Sequence, residues 1–292
     1  MAHTAELILD EKAALGEGPV WDAAEQVLYW VDIDGKKVHI YDPASNTDNT
    51  IELQHSPGTV VKRKSGGLMI AIENGFASLD PQTGEVEVWC EPESDKPDNR
   101  FNDGKCDPAG RFWAGSMAYD GKTPSGALYC LDPDRTVRRV LGDVIVSNGI
   151  AWSEDARTMY YIDTMTNKLE AFDYDADTGE VANRRTIVEV PDGRGYLDGM
   201  TRDSQGRLWV AMWGAHRVVC FDPQTGAQVD QVDVPASQTS ACWFGGPDLD
   251  ELYITSARTG LDDAALAREP LAGGLFRARP GVRGVPADEF AG

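Results

Sequence analysis

Polar side chains recur in one local setting of this sequence, just before a glycine and an apolar segment with strand character. Glu17 lies in LGEGPVW, Asn148 in VSNGIAW and Asp198 in YLDGMTR. Two carboxylates and one carboxamide form a hard oxygen-donor set that suits Ca²⁺, Mg²⁺ or Mn²⁺. Three protein ligands leave coordination positions for water and substrate, as a catalytic metal site requires. The sequence therefore predicts one divalent metal ion bound by Glu17, Asn148 and Asp198.

The same setting holds further polar residues that do not suit a cation. Arg100 and Asn102 lie in NRFNDGK, and Thr239 with Ser240 in QTSACW, whereas the segment SPGTVV offers no strong ligand. Directed hydrogen bonds from Arg100 and Asn102 would suit the hydroxyl groups of a substrate. For any one of these residues alone, a local turn that bonds the backbone is the alternative interpretation. The shared position of several oxygen donors favours a common site.

Other chemical motifs are absent or incomplete. The four histidines show no metal-ligand spacing: His3, His39, His55 and His216. Ser116 lies in AGSMA and lacks the Gly-x-Ser-x-Gly pattern of a nucleophile elbow. The pair Asp32 and Asp34 is followed by Gly35 but not by the downstream Glu of a calcium-binding loop, so it predicts a tight hairpin turn.

The elements that must position these residues form an internal repeat. Each copy has a polar turn followed by a strand rich in aromatic and β-branched residues, at 21–30, 63–70, 107–113, 153–161, 203–210 and 245–254. An apolar residue followed by Asp comes after five of the copies, as in Tyr41-Asp42-Pro43 and Phe172-Asp173-Tyr174. Six copies at a period of about 40 to 50 residues predict an all-β, six-bladed β-propeller with four-stranded antiparallel blades.

A propeller explains why the polar residues would meet. The innermost strand of each blade lines the central axis, and the candidate residues all lie at the start of the first strand of a copy. The glycines that follow them would allow the backbone to approach that axis closely. One helical turn, at 261–268, is expected in an insertion of the last copy, and the tryptophans are expected to fill the spaces between blades.

The ring must also be closed, because an open propeller would expose strand edges. Residues 281–292 are rich in Gly and Pro and are too short for a regular outer strand. The segment AELILD at 5–10 has strand character. We therefore predict that it pairs with the strand near 275–278 and becomes the outer strand of the last blade; a frayed terminus is the alternative.

Composition limits the classes of partner. The net charge is −21, with 48 acidic and 27 basic residues, which argues against binding to nucleic acid or membranes. Five widely spaced cysteines without a Cys-x-x-Cys pair are typical of reduced thiols in the cytoplasm. Residues 1–10 lack the basic start and apolar core of a secretory signal. We expect one domain over 1–292, a monomer or weak homo-oligomer with a small-molecule partner.

The motifs LGEGPVW, RFNDGKCDPAGRFWAGSM, SNGIAWS, YLDGM and FGGPDLDELYITSAR together resemble the regucalcin/gluconolactonase (senescence marker protein) family. The closing segment, SARTGLDDAALAREPLAGGLF, is most similar to bacterial aldonolactonases of sugar-acid pathways. The resemblance implies metal binding by Glu17, Asn148 and Asp198 and substrate binding by Arg100 and Asn102. Animal members have a substrate-binding Glu where this chain has Tyr119, so Tyr119 is the candidate substrate-binding residue at that position. The resemblance leaves the ion open among Ca, Mg, Mn, Zn and Fe.

The activity that the resemblance implies is hydrolysis of a sugar lactone to the aldonic acid. A metal ion would polarise the carbonyl group, and Asp198 is the candidate base that accepts a proton from water. Two alternatives remain open at this point. One is a calcium-binding propeller without catalytic activity, and the other is a metal-dependent esterase or organophosphate hydrolase.

Overall fold

The computed structural model describes residues 3–292, and its regular secondary structure is almost entirely β-strand. Six sheets form the blades of a β-propeller. Blades 1 to 5 each contain four consecutive antiparallel strands, and the outer strand of blade 6 comes from the N-terminal segment. The predicted fold class is therefore confirmed. The first strands of neighbouring blades contact each other in a closed ring around the axis, so residues at the start of six distant segments are brought together.

Two strands precede the first blade: β1 (His3–Thr4) and β2 (Glu6–Leu9). Blade 1 consists of β3 (Gly16–Asp22), β4 (Val27–Asp32), β5 (Lys37–Asp42) and β6 (Thr47–Glu52). Blade 2 consists of β7 (Thr59–Lys62), β8 (Leu68–Ala71), β9 (Phe76–Leu79) and β10 (Val86–Cys90). Blade 3 consists of β11 (Asn99–Cys106), β12 (Phe112–Ala118), β13 (Gly126–Leu131) and β14 (Val137–Val144).

The second half of the ring repeats this order. Blade 4 consists of β15 (Ser147–Trp152), β16 (Thr158–Asp163), β17 (Lys168–Tyr174) and β18 (Val181–Glu189). Blade 5 consists of β19 (Tyr196–Arg202), β20 (Leu208–Trp213), β21 (Arg217–Phe221) and β22 (Gln228–Asp233). Blade 6 consists of β23 (Thr239–Gly245), β24 (Glu251–Ser256), β25 (Leu275–Ala278) and, at its outer edge, β2.

In blades 1, 2 and 5 the recurrent Asp at the end of the third strand organises the turn into the fourth strand. The Oδ1 atoms of Asp42, Asp80 and Asp222 each accept a 2.8 Å hydrogen bond from the backbone N–H two residues later. In blade 4 this role belongs to Asp175, which bonds the N–H of Asp177 at 2.9 Å. Asp173 of the repeat lies inside β17, which extends as far as Tyr174.

Aromatic side chains pack between the blades, as the sequence predicts. Trp21 of blade 1 stacks on Tyr253 of blade 6, with ring centroids 5.5 Å apart and an interplanar angle of 11°. Trp209 of blade 5 meets Phe244 of blade 6 edge to face at 5.8 Å. Both tryptophans are buried. Such pairs join adjacent blades through large apolar contacts with a fixed geometry, and this fixes the position of the inner strands.

The N-terminal segment closes the ring. Strand β2 pairs antiparallel with β25, with Glu6 opposite Arg277 and Leu7 opposite Phe276. This confirms the predicted closure and excludes a frayed terminus for residues 6–9. Strand β1 adds a contact that the sequence did not predict, because it pairs in parallel with β22, the outer strand of blade 5. The segment therefore contacts the outer edges of two neighbouring blades.

In the described part of the chain, helical structure is confined to two short elements. Helix α1 (Asp263–Arg268) lies in the insertion where one helical turn was expected, and Asp262 caps it by accepting a hydrogen bond from Ala265 N at 2.7 Å. A 3₁₀ helix covers Thr164–Thr166. Among residues 3–292, no helix is long and apolar enough to cross a membrane.

Candidate metal centre

The inner strands of five blades are irregular at the same height of the channel. Their register with the second strand shifts within one short interval, whereas β7 of blade 2 pairs with β8 in regular register. A shift of this kind bends the strand and disturbs the alternation of side chains between its two faces. The five intervals are Glu17–Val20, Phe101–Gly104, Ser147–Ile150, Leu197–Met200 and Thr239–Cys242. They contain the predicted ligands, and blade 2 lacks both the shift and a ligand.

Two glycines in these intervals allow neighbouring inner strands to approach each other. A Cβ atom added to Gly149 would lie 2.7 Å from the carbonyl oxygen of Asp198. One added to Gly199 would lie 2.6 Å from the Cβ atom of Ala241. Both distances are too short for a side chain, so only glycine fits without displacing the next strand. The close backbone approach inferred from the sequence is thus present at the residues that follow Asn148 and Asp198.

The three predicted metal ligands come from three different blades, and all three are buried. Glu17, Asn148 and Asp198 are each only 4% exposed. Asn148 donates its Nδ2 to Thr164 Oγ1 at 3.0 Å, which orients its carboxamide. Among residues 3–292, Oδ1 of Asn148 and Oδ1 of Asp198 are buried without a hydrogen-bond partner. Buried polar atoms are almost always bonded, so two unpaired oxygens fit a cation as their missing partner.

The electrostatics of the site also fit a cation. Burial, and after it the negative charge of Asp103, raises the pKa of Glu17 to about 8. Burial and the charge of Glu17 raise the pKa of Asp198 well above its ordinary value. Carboxylates placed together in a site with little water repel each other unless a positive charge compensates them. A divalent ion would supply that charge and would hold both groups in the ionised form.

Asp103 is a third buried carboxylate at this site, and the sequence reasoning missed it. Burial raises its pKa, and the positive charge of Lys105 opposes that effect. Its Oδ1 accepts a 2.8 Å hydrogen bond from Gly104 N. The signal was available in the segment Asn102-Asp103-Gly104, because a register shift within one strand can bring consecutive residues to the same site.

Arg100 and Asn102 lie together beside the carboxylates. Nη1 of Arg100 donates to the Phe101 carbonyl at 3.0 Å and to Asn102 Oδ1 at 2.7 Å. Nδ2 of Asn102 donates to the Ser147 carbonyl at 2.8 Å. Within the described range 3–292, Nη1 is the one nitrogen of the Arg100 guanidinium with a protein acceptor, so the remaining N–H groups are free for a ligand. Asn102 holds Arg100, and these two bonds use one of its two N–H donors and one of its two acceptor lone pairs.

Tyr119 lies at the mouth of the channel, directly after β12. It is 56% exposed, and its backbone N–H donates to the Asp98 carbonyl at 2.9 Å. Burial and the charge of Glu73 raise the pKa of its phenol, and the positive charge of Arg100 opposes them. The structure therefore brings Tyr119 near Arg100, within reach of anything that enters the channel.

The remaining polar side chains of the inner strands form hydrogen bonds with the backbone and so stabilise the fold. Ser240 Oγ donates to the Gly16 carbonyl at 2.5 Å, and Thr239 Oγ1 donates to the Ala236 carbonyl at 3.0 Å. In blade 2, Thr59 Oγ1 bonds the Gly104 carbonyl at 3.1 Å. Asp32 accepts from the N–H groups of Leu15 and Gly35, both at 2.9 Å, which confirms the predicted hairpin turn.

Known proteins share both the sequence pattern and the fold of this chain. Residues 15–258 match the sequence profile of the SMP-30/Gluconolactonase/LRE-like region. Regucalcin of Xenopus laevis is 41% identical, with 98% of each chain covered. The solved calcium-binding protein regucalcin from Agrobacterium tumefaciens is 30% identical, with a TM-score of 0.95 over 99% of this chain and 98% of its own. A solved luciferin-regenerating enzyme is 32% identical, with a TM-score of 0.92 over 99% and 100%.

Proposed function

The chain belongs to the SMP-30/gluconolactonase/LRE-like family, and on that premise we propose that it hydrolyses a sugar lactone with one divalent metal ion bound by Glu17, Asn148 and Asp198. The observation that carries the proposal is the pair of buried, unpaired oxygens on Asn148 and Asp198. They lie beside a third oxygen donor, Glu17, whose raised pKa reflects its burial and the charge of Asp103. Such a set suits catalysis because three protein ligands leave positions open.

The bound ion would supply Lewis acidity, which polarises the lactone carbonyl group and stabilises the developing negative charge. The protein supplies the proton transfer. The Asp198 carboxylate accepts a proton from the attacking water as the water oxygen bonds to the carbonyl carbon. The bond between that carbon and the ring oxygen then breaks, and the ring oxygen takes the proton from Asp198. One lactone and one water molecule thus give one aldonic acid.

The substrate class follows from the residues beside the carboxylates. The free N–H groups of Arg100 can donate to hydroxyl oxygens of a sugar, while Asn102 holds the guanidinium in place. Tyr119 occupies the mouth and can cover an apolar face of a sugar ring. The proposal therefore favours a polyhydroxylated lactone over an aryl ester or an organophosphate. The similarity of the closing segment to aldonolactonases points the same way.

Calcium binding without catalysis is the second candidate, because the related Agrobacterium protein is described as a calcium-binding protein. The same three ligands would then bind an ion without turnover. We further propose that a small sugar lactone is the partner of this chain and that the protein acts in the cytoplasm, where its five free cysteines suit a reducing environment.

The test is hydrolysis of a panel of aldonolactones. The protein is treated with a chelator, and then Ca²⁺, Mg²⁺, Mn²⁺, Zn²⁺ or Fe²⁺ is returned one at a time. We expect the chelated protein to be inactive and at least one ion to restore hydrolysis of at least one sugar lactone. Full metal binding with no turnover of any lactone would favour the calcium-binding alternative. Turnover of aryl esters alone would contradict the assigned substrate class.

A further inference from the structure

A second group of ligand-type side chains lies away from the channel, where blade 6 meets blade 1. Glu11 follows the closing strand β2, whereas His39 lies in β5 and Asp48 in β6, the two outer strands of blade 1. One potential ligand atom from each of the three lies within 4.8 Å of the other two. The group thus joins the segment that closes the ring to the outer half of the first blade.

Two of these side chains are buried and incompletely bonded. His39 has no exposed surface, and the Asp48 side chain is 6% exposed. Nδ1 of His39 and Oδ2 of Asp48 are 2.6 Å apart. Within residues 3–292, neither Nε2 of His39 nor Oδ1 of Asp48, both buried, has a hydrogen-bond partner. The unpaired Oδ1 belongs to the same carboxylate that touches the imidazole, so an unsatisfied acceptor lies inside the cluster.

The residues around the cluster orient its side chains. The Trp30 ring stacks on the His39 ring with centroids 3.9 Å apart and an interplanar angle of 17°. This contact fixes the plane of the imidazole. The Glu11 carboxylate contacts Lys37 Nζ at a long 3.4 Å, and both side chains are about one-third exposed or less. A weak pair of this kind is readily exchanged for a stronger ligand.

We propose that Glu11, His39 and Asp48 bind a second divalent cation, and that this ion is Zn²⁺. One imidazole nitrogen and two carboxylate oxygens form a set of borderline softness that suits zinc, unlike the all-oxygen set of the channel. Metal–ligand bonds of about 2.0–2.2 Å place tetrahedral ligand atoms about 3.3 Å apart, so His39 Nδ1 and Asp48 Oδ2, which are 2.6 Å apart, would separate slightly. Solvent reaches the site beside Glu11 and supplies the fourth ligand.

The ion would tie the closing segment to blade 1. Because the ligands come from residues that are brought together only in the folded ring, zinc would bind the native state and raise its melting temperature. The lactonase activity is not needed for this effect. Failure of the proposed function therefore leaves the inference standing, and the reverse also holds.

The experiment uses the full chain with Glu17→Gln, which disables the channel site, after removal of metal by a chelator. Zinc binding is measured by titration and elemental analysis, with Co²⁺ as a spectroscopic probe of a four-coordinate site. We expect one zinc per chain and a zinc-dependent rise in melting temperature. Adding Glu11→Gln, at a partly exposed position, should weaken zinc binding by about tenfold or more and remove most of the rise. Asp48→Asn should act in the same direction.

Glu25→Gln is the matched control, since Glu25 is exposed in blade 1 and makes no side-chain hydrogen bond or ion pair within the described part of the chain. It should leave zinc binding unchanged. In the otherwise wild-type chain, Glu11→Gln should remove one zinc equivalent and leave lactone hydrolysis as it was. Absence of zinc binding to the Glu17→Gln protein, or equal zinc affinity with and without Glu11→Gln, would overturn the proposal.

Discussion

Arg100 and Asn102 are joined by a 2.7 Å hydrogen bond from Nη1 to Oδ1, and Asn102 is itself anchored to the Ser147 carbonyl of the next blade. The guanidinium is therefore positioned by a carboxamide that is fixed at both ends. The two residues form one unit, in which Arg100 presents free N–H groups and Asn102 sets their direction. Their separate contributions to substrate binding should not add.

We expect Arg100→Ala to raise KM by about tenfold or more, because the substrate loses hydrogen bonds to a charged donor. Metal affinity should change far less, because a positively charged guanidinium is not a ligand for a cation. Asn102→Ala should raise KM in the same direction, through the lost anchor. The double variant should be little worse than Arg100→Ala alone, since the pair acts together. Steady-state kinetics and metal titration measure both quantities. An unchanged KM with weaker metal binding, or strictly additive effects, would contradict the assignment.

Removal of residues 1–10 should destabilise the ring. The deletion takes away β2 and exposes the edge of β25, which also loses the pair between Glu6 and Arg277 at 2.7 Å. We expect the melting temperature to fall by about 10 °C or more and aggregation to increase. Removal of residues 1–4, which takes β1 alone, is the matched comparison and should cost much less. Equal melting of the longer truncation and the full chain would refute the closing role of β2.

The metal-free protein should lose stability as the pH rises. The pKa of Glu17 is about 8 in the folded protein and 4.5 as an ordinary carboxyl group. The folded state therefore holds a proton that the unfolded chain releases, and the resulting stability is full below about pH 4.5 and lost as the pH passes about 8. Chemical denaturation after chelation should show this fall, and Glu17→Gln should reduce it. If the stability of the wild-type protein and of Glu17→Gln changed with pH in the same way, Glu17 would not have the raised pKa of a buried, uncompensated carboxylate.

Much of the architecture could be predicted because local sequence patterns determine it. The repeat of turn and strand predicted six blades, and the alternation in residues 5–10 predicted the closing strand. The C-terminal tail could not be predicted in this way. Phe290 is buried, and its backbone N–H bonds the Lys62 carbonyl at 2.8 Å, yet the tail is Gly- and Pro-rich and has no periodicity. Its position depends on tertiary contacts alone.

The candidate site also contains residues that the sequence pattern predicts and residues that it does not. Glu17, Asn148 and Asp198 could be predicted as ligands because each directly precedes a glycine at the start of an inner strand. Asp103 also directly precedes a glycine, Gly104, but Asn102 beside it was taken as the candidate of that blade. The register shift in β11 is what brings both residues to the site. His39 was set aside for lack of ligand spacing, because the side chains that surround it come from separate strands and from the segment before blade 1.

The most direct test of the central claim is lactone hydrolysis by Glu17→Gln, Asn148→Ala and Asp198→Asn at saturating metal. Each variant should fold, as shown by circular dichroism and a cooperative melting transition. We expect each to lose most activity, with kcat of Asp198→Asn lower by about 10²–10⁴-fold since it removes the base. Near-normal turnover by two of the three variants at saturating metal would show that the catalytic site lies elsewhere.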